Sequence, residues 1–409
     1  MTSTLTRPTT DFAALPTPRT EEEWLERARL VRTVLAADAA ARDAAGATPY
    51  AEVALLKDSG LVTLLGPVEH GGGGQEWPLA YRVIREVAAG DGSIGQLLGY
   101  HLLWCWAARL VGTPEQIAHV EAEATRQRWF FGGAVNPRDA DVVIRDEGDE
   151  IVYTGRKSFS TGSRVSDVTV LEGVLEHAPE THVFAIVPSD QPAITFHDDW
   201  DNIGQRLTES GSVTLDGVRV PWSDAAGFRD RVFTPRVYNT MNVPTIQLVF
   251  VSFYLGVARG ALEEAAAYTR TTTRPWLHGG YERAVDEPYV IDTYGDLQAG
   301  LWAAEALADA VAAEALPIHR DPDALTERAR GEHEVRVAAV KARATEVALE
   351  VTSRVFEVLG ARATASSLAF DRFWRNVRTH TLHDPVAYKR REVGRHLLVD
   401  ELPTPTWYS

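Results

Sequence analysis

The chain has 409 residues, 45% hydrophobic and 24% charged, which is ordinary for a globular protein and long enough for two or three packed domains. Its formal net charge of −16 opposes binding to DNA, RNA or anionic lipid, all of which need clustered Lys and Arg. The single cysteine, Cys105, excludes an internal disulfide, and its place between Trp104 and Trp106 predicts a buried inert thiol in a reducing cytoplasm.

The opening MTSTLTRPTTDFAALPTP has no continuous apolar stretch behind Arg7, and no later segment offers about 18 uninterrupted apolar residues. Neither secretion nor a membrane span is expected, and the Thr and Pro content predicts a flexible arm. From about Thr20 to Arg128 apolar residues recur at helical spacing; Trp24, Ala28, Val31 and Leu35 form one stripe. The run HGGGGQEWP between Leu65 and Pro78 must be a loop, because four successive glycines are costly in a helix. Such a loop can form an anion nest, but a lone glycine run is weak evidence and serves here as a fold marker.

Near Trp129 the texture changes. EIVYTG, DVTVLEGVL, THVFAIVP and SVTLDGVRVP are short β-branched runs between turn formers, and they predict an antiparallel β domain. In the last run Val213, Leu215, Val218 and Val220 fall on one buried face either side of an expected Asp216-Gly217 turn, and Pro221 ends it. Long helices return from about Val243. Val335, Ala339, Ala342, Thr345, Leu349, Thr352, Phe356 and Leu359 advance by three or four along a bundle helix stopped by Gly360, and His319 to Asp323 reads as an exposed turn. The expected architecture is α+β: a helical domain with its arm (1–128), a β-barrel-like domain (129–235), and a C-terminal four-helix bundle with a tail (236–409).

Several motifs in this order resemble the acyl-CoA dehydrogenase superfamily. They are GPVEHGGGG (66–74), REVAAGDGSIG (85–95), GRKSFSTG (155–162), DNIGQRLTESGSVTLDGVRVP (201–221) and YLGVARGALEEAAAYTRTTTRPW (254–276), and together they span nearly the whole chain. Within the superfamily, TRPW and HTLHDP resemble the flavin monooxygenase branch, which includes dibenzothiophene and methanesulfinate monooxygenases. The resemblance implies an oxygenase that takes reduced FMN from a separate flavin reductase, forms a C4a-hydroperoxyflavin with O2 and oxygenates sulfur, nitrogen or aromatic carbon in a small organic substrate. It also implies a homotetramer. The competing reading is an FAD-dependent acyl-CoA dehydrogenase with Asp384 as its base.

A dehydrogenase of this family needs a carboxylate base at the substrate α-carbon. Asp384 is one methylene shorter than the usual Glu, and Pro385 constrains the backbone after it, which displaces the base by roughly an ångström. The alternative base position lies near residues 240–256, and no Asp or Glu occurs from Arg231 through Leu262. His380 and His383, three apart, share a face if their helix persists. By resemblance His383 sits at the flavin ring, where an imidazole titrating near neutrality can hold or return a proton, and His380 supports it. The resemblance likewise places Phe159 over the ring, Thr161 as a hydroxyl donor to it, Asn136 and Tyr100 in the active site, Trp200 near the ring, and Arg274 and Arg362 on the flavin phosphate across a subunit interface. Each has a plainer alternative: a core-bonded histidine, a strand-edge threonine, an Asn turn, packed aromatics, solvated arginines. Gln96 stands where the desulfurising relatives are expected to carry His, which puts a sulfur heterocycle substrate in doubt. Metal ligation by His380, His383 and Asp384 is disfavoured because Asp384 adjoins His383 and Pro385 bends the chain, so no metal is expected.

Overall fold

The computed structural model describes residues 10–136 and 141–406; the first nine residues of the expected arm, and residues 137–140, lie outside the described residues. The first helices are α1 (Glu21–Ala36), α2 (Ala39–Ala45), α3 (Tyr50–Asp58), α4 (Trp77–Gly90), α5 (Gly92–Trp106), α6 (Ala108–Val111) and α7 (Pro114–Gln127). The strands are β1 (Phe131–Ala134), β2 (Val143–Asp146), β3 (Glu150–Lys157), β4 (Val168–Leu175), β5 (Ala178–Pro188), β6 (Ile194–Phe196), β7 (Val213–Pro221) and the short β8 (Phe228–Arg229) and β9 (Val232–Phe233). The last helices are α8 (Asn242–Thr271), α9 (Pro288–Glu314), α10 (Leu316–Arg320), α11 (Glu327–Leu359), α12 (Asp371–His380) and α13 (Val386–Val399).

Thr20 and Glu23 close a reciprocal capping box at the start of α1, and its stripe of Trp24, Ala28, Val31 and Leu35 is buried. What precedes α1 is not free. Phe12 is buried beneath the Arg27 guanidinium, which also donates to the Pro16 carbonyl at 2.7 Å, so residues 11–18 are docked on the helical core. The glycine loop folds back on itself: the amides of Gly71, Gly72, Gly73 and Gly74 donate to the carbonyls of Val68, Pro67, Thr63 and Gly66. Those amides are consumed internally, so the loop is no anion nest. A Cβ on Gly72 would meet the Gly66 oxygen at 2.3 Å, which explains a glycine there.

The sheet is mixed rather than antiparallel. β4 pairs antiparallel with β5 along one edge, but on its other edge it runs parallel to β1 and then to β2, while β2–β3, β3–β7 and β7–β6 are antiparallel. Alternating side chains report which face is buried but not which way the neighbouring strand runs. The expected Asp216-Gly217 turn is a β-bulge inside one continuous strand. Tyr153 pairs with Val218 and Thr154 with Asp216, so Gly217, at φ +75°, is the extra residue. That one-residue insertion flips the parity, which is why Val213, Leu215, Val218 and Val220 all face inward.

One apolar core runs through both helical regions and takes in Phe131, Val168 and Val170 from the sheet; a second lies within the sheet. α8 packs on α4, α5, α9 and α11 and is long and apolar enough to cross a membrane, but 89% of its most apolar window is buried inside the protein, as a core helix requires. α11 ends at Gly360, φ +80°, as its sequence predicts, though its buried face is wider than the expected stripe and includes Lys341. His319, expected in an exposed turn, instead packs its ring on Trp106 and Tyr238.

Candidate active site

α5 supplies the floor of the site. Asp91 caps its N-terminus by accepting from the amides of Ser93 and Ile94, and Gln96 and Tyr100, four apart, follow on one face. His101 ties the helix to the sheet: its Nδ1 accepts from the Phe131 amide at 3.0 Å, so its Nε2–H donates to the Val62 carbonyl at 2.8 Å. Burial holds His101 near pKa 4 and therefore neutral, in the one tautomer these partners allow.

α12 supplies the opposite wall. It ends at His380, yet the turn that follows is closed by the His383 amide donating to the His380 carbonyl at 2.9 Å. The two imidazoles consequently stack, with centroids 5.3 Å apart and planes 9° from parallel, and both lie on Phe250 of α8. His380 is enclosed. Its Nε2 is 3.2 Å from the Tyr100 hydroxyl and its Nδ1 2.8 Å from the Tyr254 hydroxyl. Burial first, then the neighbouring His383 and Lys341, hold His380 well below its ordinary pKa, while burial raises both phenols. His383 is half exposed, so of the pair it is the one that reaches an entering molecule.

The expected dehydrogenase base does not resemble one in this setting. Asp384 lies 3.3 Å from the Lys341 ammonium and 3.6 Å from His383 Nδ1. Burial alone would raise its pKa, but those two partners outweigh burial and hold the carboxylate well below its usual range. A carboxylate so stabilised is a poor acceptor for a carbon-bound proton. Among the described residues no three His, Cys, Asp or Glu side chains gather as a metal site.

The sheet contributes the third wall through the loops 158–162 and 197–212. Phe159 and Trp200 meet edge to face with centroids 6.1 Å apart, and Phe159 is 63% exposed, an aromatic without a cover. The Thr161 hydroxyl lies inside, 2.9 Å from that of Ser210. The loops are locked to α12: the Asn376 side chain accepts from the Gln205 amide at 2.7 Å, and Trp200 Nε1 donates to the Gln205 carbonyl at 2.8 Å. Phe159, Gln205 and Glu209 all have positive φ, a strained conformation for such residues that concentrates at functional loops. Asn136 follows β1; its carbonyl accepts from Lys157 Nζ at 2.9 Å and its amide donates to Ser158 at 3.3 Å.

The structure thus brings His380, His383 and Tyr100 together on the helical side of the seam between helices and sheet, and sets Phe159, Trp200, Thr161 and Asn136 on loops of the sheet, which Asn376 ties to α12. Arg274 and Arg362 are elsewhere. Both are exposed at one outer corner, where Thr273 donates to the Leu359 carbonyl at 3.3 Å. Buried polar atoms border the seam without a protein partner: Gln96 Oε1, Ser160 Oγ and both side-chain amide atoms of Gln205. Such atoms call for a polar-edged ligand.

Sequence reasoning missed Lys341 and Tyr254. The available signal was composition: of 41 Lys and Arg only four are Lys, and three of these, Lys157, Lys341 and Lys389, are buried. Cys105 is only half buried, though burial still pushes its thiol up to about 12 and keeps it inert.

The fold and this seam define a flavoenzyme scaffold. Residues 19–126 match the acyl-CoA dehydrogenase N-terminal domain and residues 248–387 the acyl-CoA dehydrogenase C-terminal domain. The chain is 40% identical to dibenzothiophene monooxygenase of Rhodococcus erythropolis over 385 residues, covering 91% of this chain and 92% of that protein. Methanesulfinate monooxygenase of Pseudomonas fluorescens superposes with a TM-score of 0.91 at 38% identity, covering 97% of this chain and all of the other. The dibenzothiophene monooxygenase of Paenibacillus sp. A11-2, in complex with FMN and indole, superposes with a TM-score of 0.88 at 40% identity, covering 94% and 100%. The chain belongs to the acyl-CoA dehydrogenase superfamily, in its flavin-dependent monooxygenase branch.

Proposed function

We propose that this protein is a two-component monooxygenase that uses reduced FMN and O2 to oxygenate a sulfur, nitrogen or aromatic carbon centre of a small organic substrate. The observation that carries this reading is the replacement of a carboxylate base by two stacked imidazoles on a phenol, with Asp384 held ionised by Lys341. When bound, reduced FMN supplies the two electrons that split O2 into one transferred oxygen atom and one water. A separate reductase must then restore the flavin.

The residues present fit such a group. Phe159 and Trp200 form an uncovered aromatic shelf for a ring, Thr161 and Ser160 offer hydroxyls to its polar edge, and Asn136 stands at the same seam. Arg274 and Arg362 are forked cations free to take a phosphate, and their outer position suits a flavin held by a neighbouring subunit. His383 would hold or return a proton there, with His380 and Tyr100 behind it. An apolar cavity lined by Trp104, Val135, Phe184 and Ile186 lies beyond Tyr100, whose ring meets Trp104 edge to face, and suits the apolar part of a substrate. A homotetramer is supported by the uncovered Tyr289, Ile291 and Trp302 of α9 and Leu397, Leu398 and Val399 of α13. The half-buried free thiol accords with a cytoplasmic setting.

The test is anaerobic titration with reduced FMN followed by rapid mixing with oxygenated buffer. The expected result is a transient spectrum belonging to neither reduced nor oxidised FMN, shortened in life by substrate. Tight FAD binding, with bleaching by an acyl-CoA thioester and no transient, would replace this reading with the dehydrogenase one.

A further inference from the structure

Behind the stacked imidazoles lies a charged side chain that the proposed oxygenation does not yet use. Lys341 is 1% exposed, on the inner face of α11. Its ammonium sits 4.5 Å and 4.9 Å from the ring centroids of Phe250 and Tyr254, donates to the Tyr254 hydroxyl at 3.2 Å and pairs with Asp384 at 3.3 Å. Tyr254 then leads to His380 Nδ1, and His380 Nε2 to Tyr100. The run from Asp384 to Tyr100 is continuous, and its outer end adjoins half-exposed His383.

His101 and His380 differ in an instructive way. His101 is bounded by an N–H and a carbonyl, which fix one tautomer. His380 is bounded by two hydroxyls, each able to donate or accept, and Tyr254 has the His380 carbonyl at 3.1 Å as a second acceptor. Both neutral tautomers of His380 are therefore satisfied by the same heavy-atom positions.

We propose that Lys341 is the proton reservoir for Tyr100, acting through Tyr254 and the two tautomers of His380. Tyr100 gives its hydroxyl proton to an acceptor in the site and takes the proton from His380 Nε2. His380 takes one at Nδ1 from Tyr254, and Tyr254 takes one from Lys341. One proton leaves Lys341 and one arrives in the site; His380 changes tautomer, and neither an imidazolium nor a phenolate is formed. That suits a pocket where burial disfavours both of those charges. Lys341 alone changes charge, and burial has already pushed it down to about 8, with Asp384 raising it and Lys389 lowering it. Arg378 and Asp384 also face Tyr254, and His383 faces His380. An arginine could not serve, because a guanidinium keeps its proton, and this chain uses lysine at only four of its 41 cationic positions. Between turnovers a proton from solvent on the half-exposed His383 side restores Lys341, and His380 returns to its Nε2–H tautomer before the next transfer.

What receives the proton rests on the oxygenase reading, but the reservoir can be tested without flavin. Lysine carrying 13C at Cε gives four resonances in the whole protein, and Lys341→Met identifies one by its loss. In flavin-free enzyme that resonance is expected to titrate near 8, and lower in Asp384→Asn. Titration near the ordinary lysine value of about 10.4 would overturn the proposal. With reduced FMN and O2, Tyr254→Phe, which removes one hydroxyl and keeps the ring, and Lys341→Met should each slow decay of the transient about a hundredfold and flatten its alkaline pH limb. The double variant should be no slower than either single. Losses that multiply, with the pH limb unmoved, would show separate structural roles and refute a shared path. Absence of any transient in the parent enzyme would sink the oxygenase reading and leave the lysine titration to decide the reservoir.

Discussion

Glu172→Gln should unfold this protein far more easily than an exposed charge change would. Glu172 and Lys157 are each 1% exposed and pair at 2.6 Å; Glu172 also takes His182 Nδ1, and Lys157 donates to the Asn136 carbonyl at 2.9 Å. Removing one charge leaves the other buried beside a weaker partner, which costs about 3–5 kcal/mol. Removing both, in Lys157→Met/Glu172→Leu, should return stability to within about 1 kcal/mol of the parent, because neither charge then has to leave water. Urea unfolding followed by tryptophan fluorescence compares the parent, Glu172→Gln and the double variant. Burial pushes the Glu172 carboxyl up, but His182 and Lys157 outweigh it and hold it below its ordinary value. A depressed folded-state pKa means that the stabilisation is present above the ordinary carboxylate range and is lost as pH falls through the folded value. The parent's lead over Glu172→Gln should therefore shrink in acid. The double variant restores the fold but not the anchor on Asn136, so its FMN-dependent turnover should still fall, by up to about a hundredfold. A Glu172→Gln cost below about 1 kcal/mol, or a fully active double variant, would show that this buried pair neither holds the fold nor anchors Asn136.

Changing His383 to Phe keeps a ring on Phe250 and removes the proton: turnover should fall about 10²- to 10³-fold with reduced-FMN affinity nearly unchanged, as equilibrium titration would reveal. Gln96→Leu removes a buried amide oxygen that has no protein partner, so the melting point should rise by the equivalent of about 1–3 kcal/mol, while KM for a polar-edged substrate rises at constant FMN affinity. Lys341→Met tests linkage. With a folded-state value near 8 against an ordinary 10.5, the parent gains stability relative to the variant as pH rises through that interval, by about 3 kcal/mol, because the unfolded state then binds the extra proton. A flat difference between pH 7 and 10 in urea melts would contradict it.

The architecture was legible because periodicity is a local property. Trp24 to Leu35 declare a helix with a buried stripe, and Val213 to Val220 declare a buried strand face, without reference to anything distant. The motifs likewise declared the family, and the spacing of His380 and His383 put their imidazoles side by side. Sequence could not say that Gly217 is a bulge rather than a turn, because the same Asp-Gly pair serves both and the choice depends on whether β3 continues opposite it. Nor could it give the direction of β1 and β2 beside β4, since side-chain alternation is blind to strand sense.

The order helices, sheet, helices, the imidazole pair, and the lack of any acidic residue from 231 to 262 can all be read along the chain. What surrounds that pair depends on the folded arrangement. Lys341, Tyr254 and Asp384 come from α11, α8 and the turn after α12, and their meeting is a matter of how three helices cross. A buried lysine looks like any other cation along the chain. Its proton becomes mobile only when folding removes water from around it and places a single carboxylate and a phenol within reach.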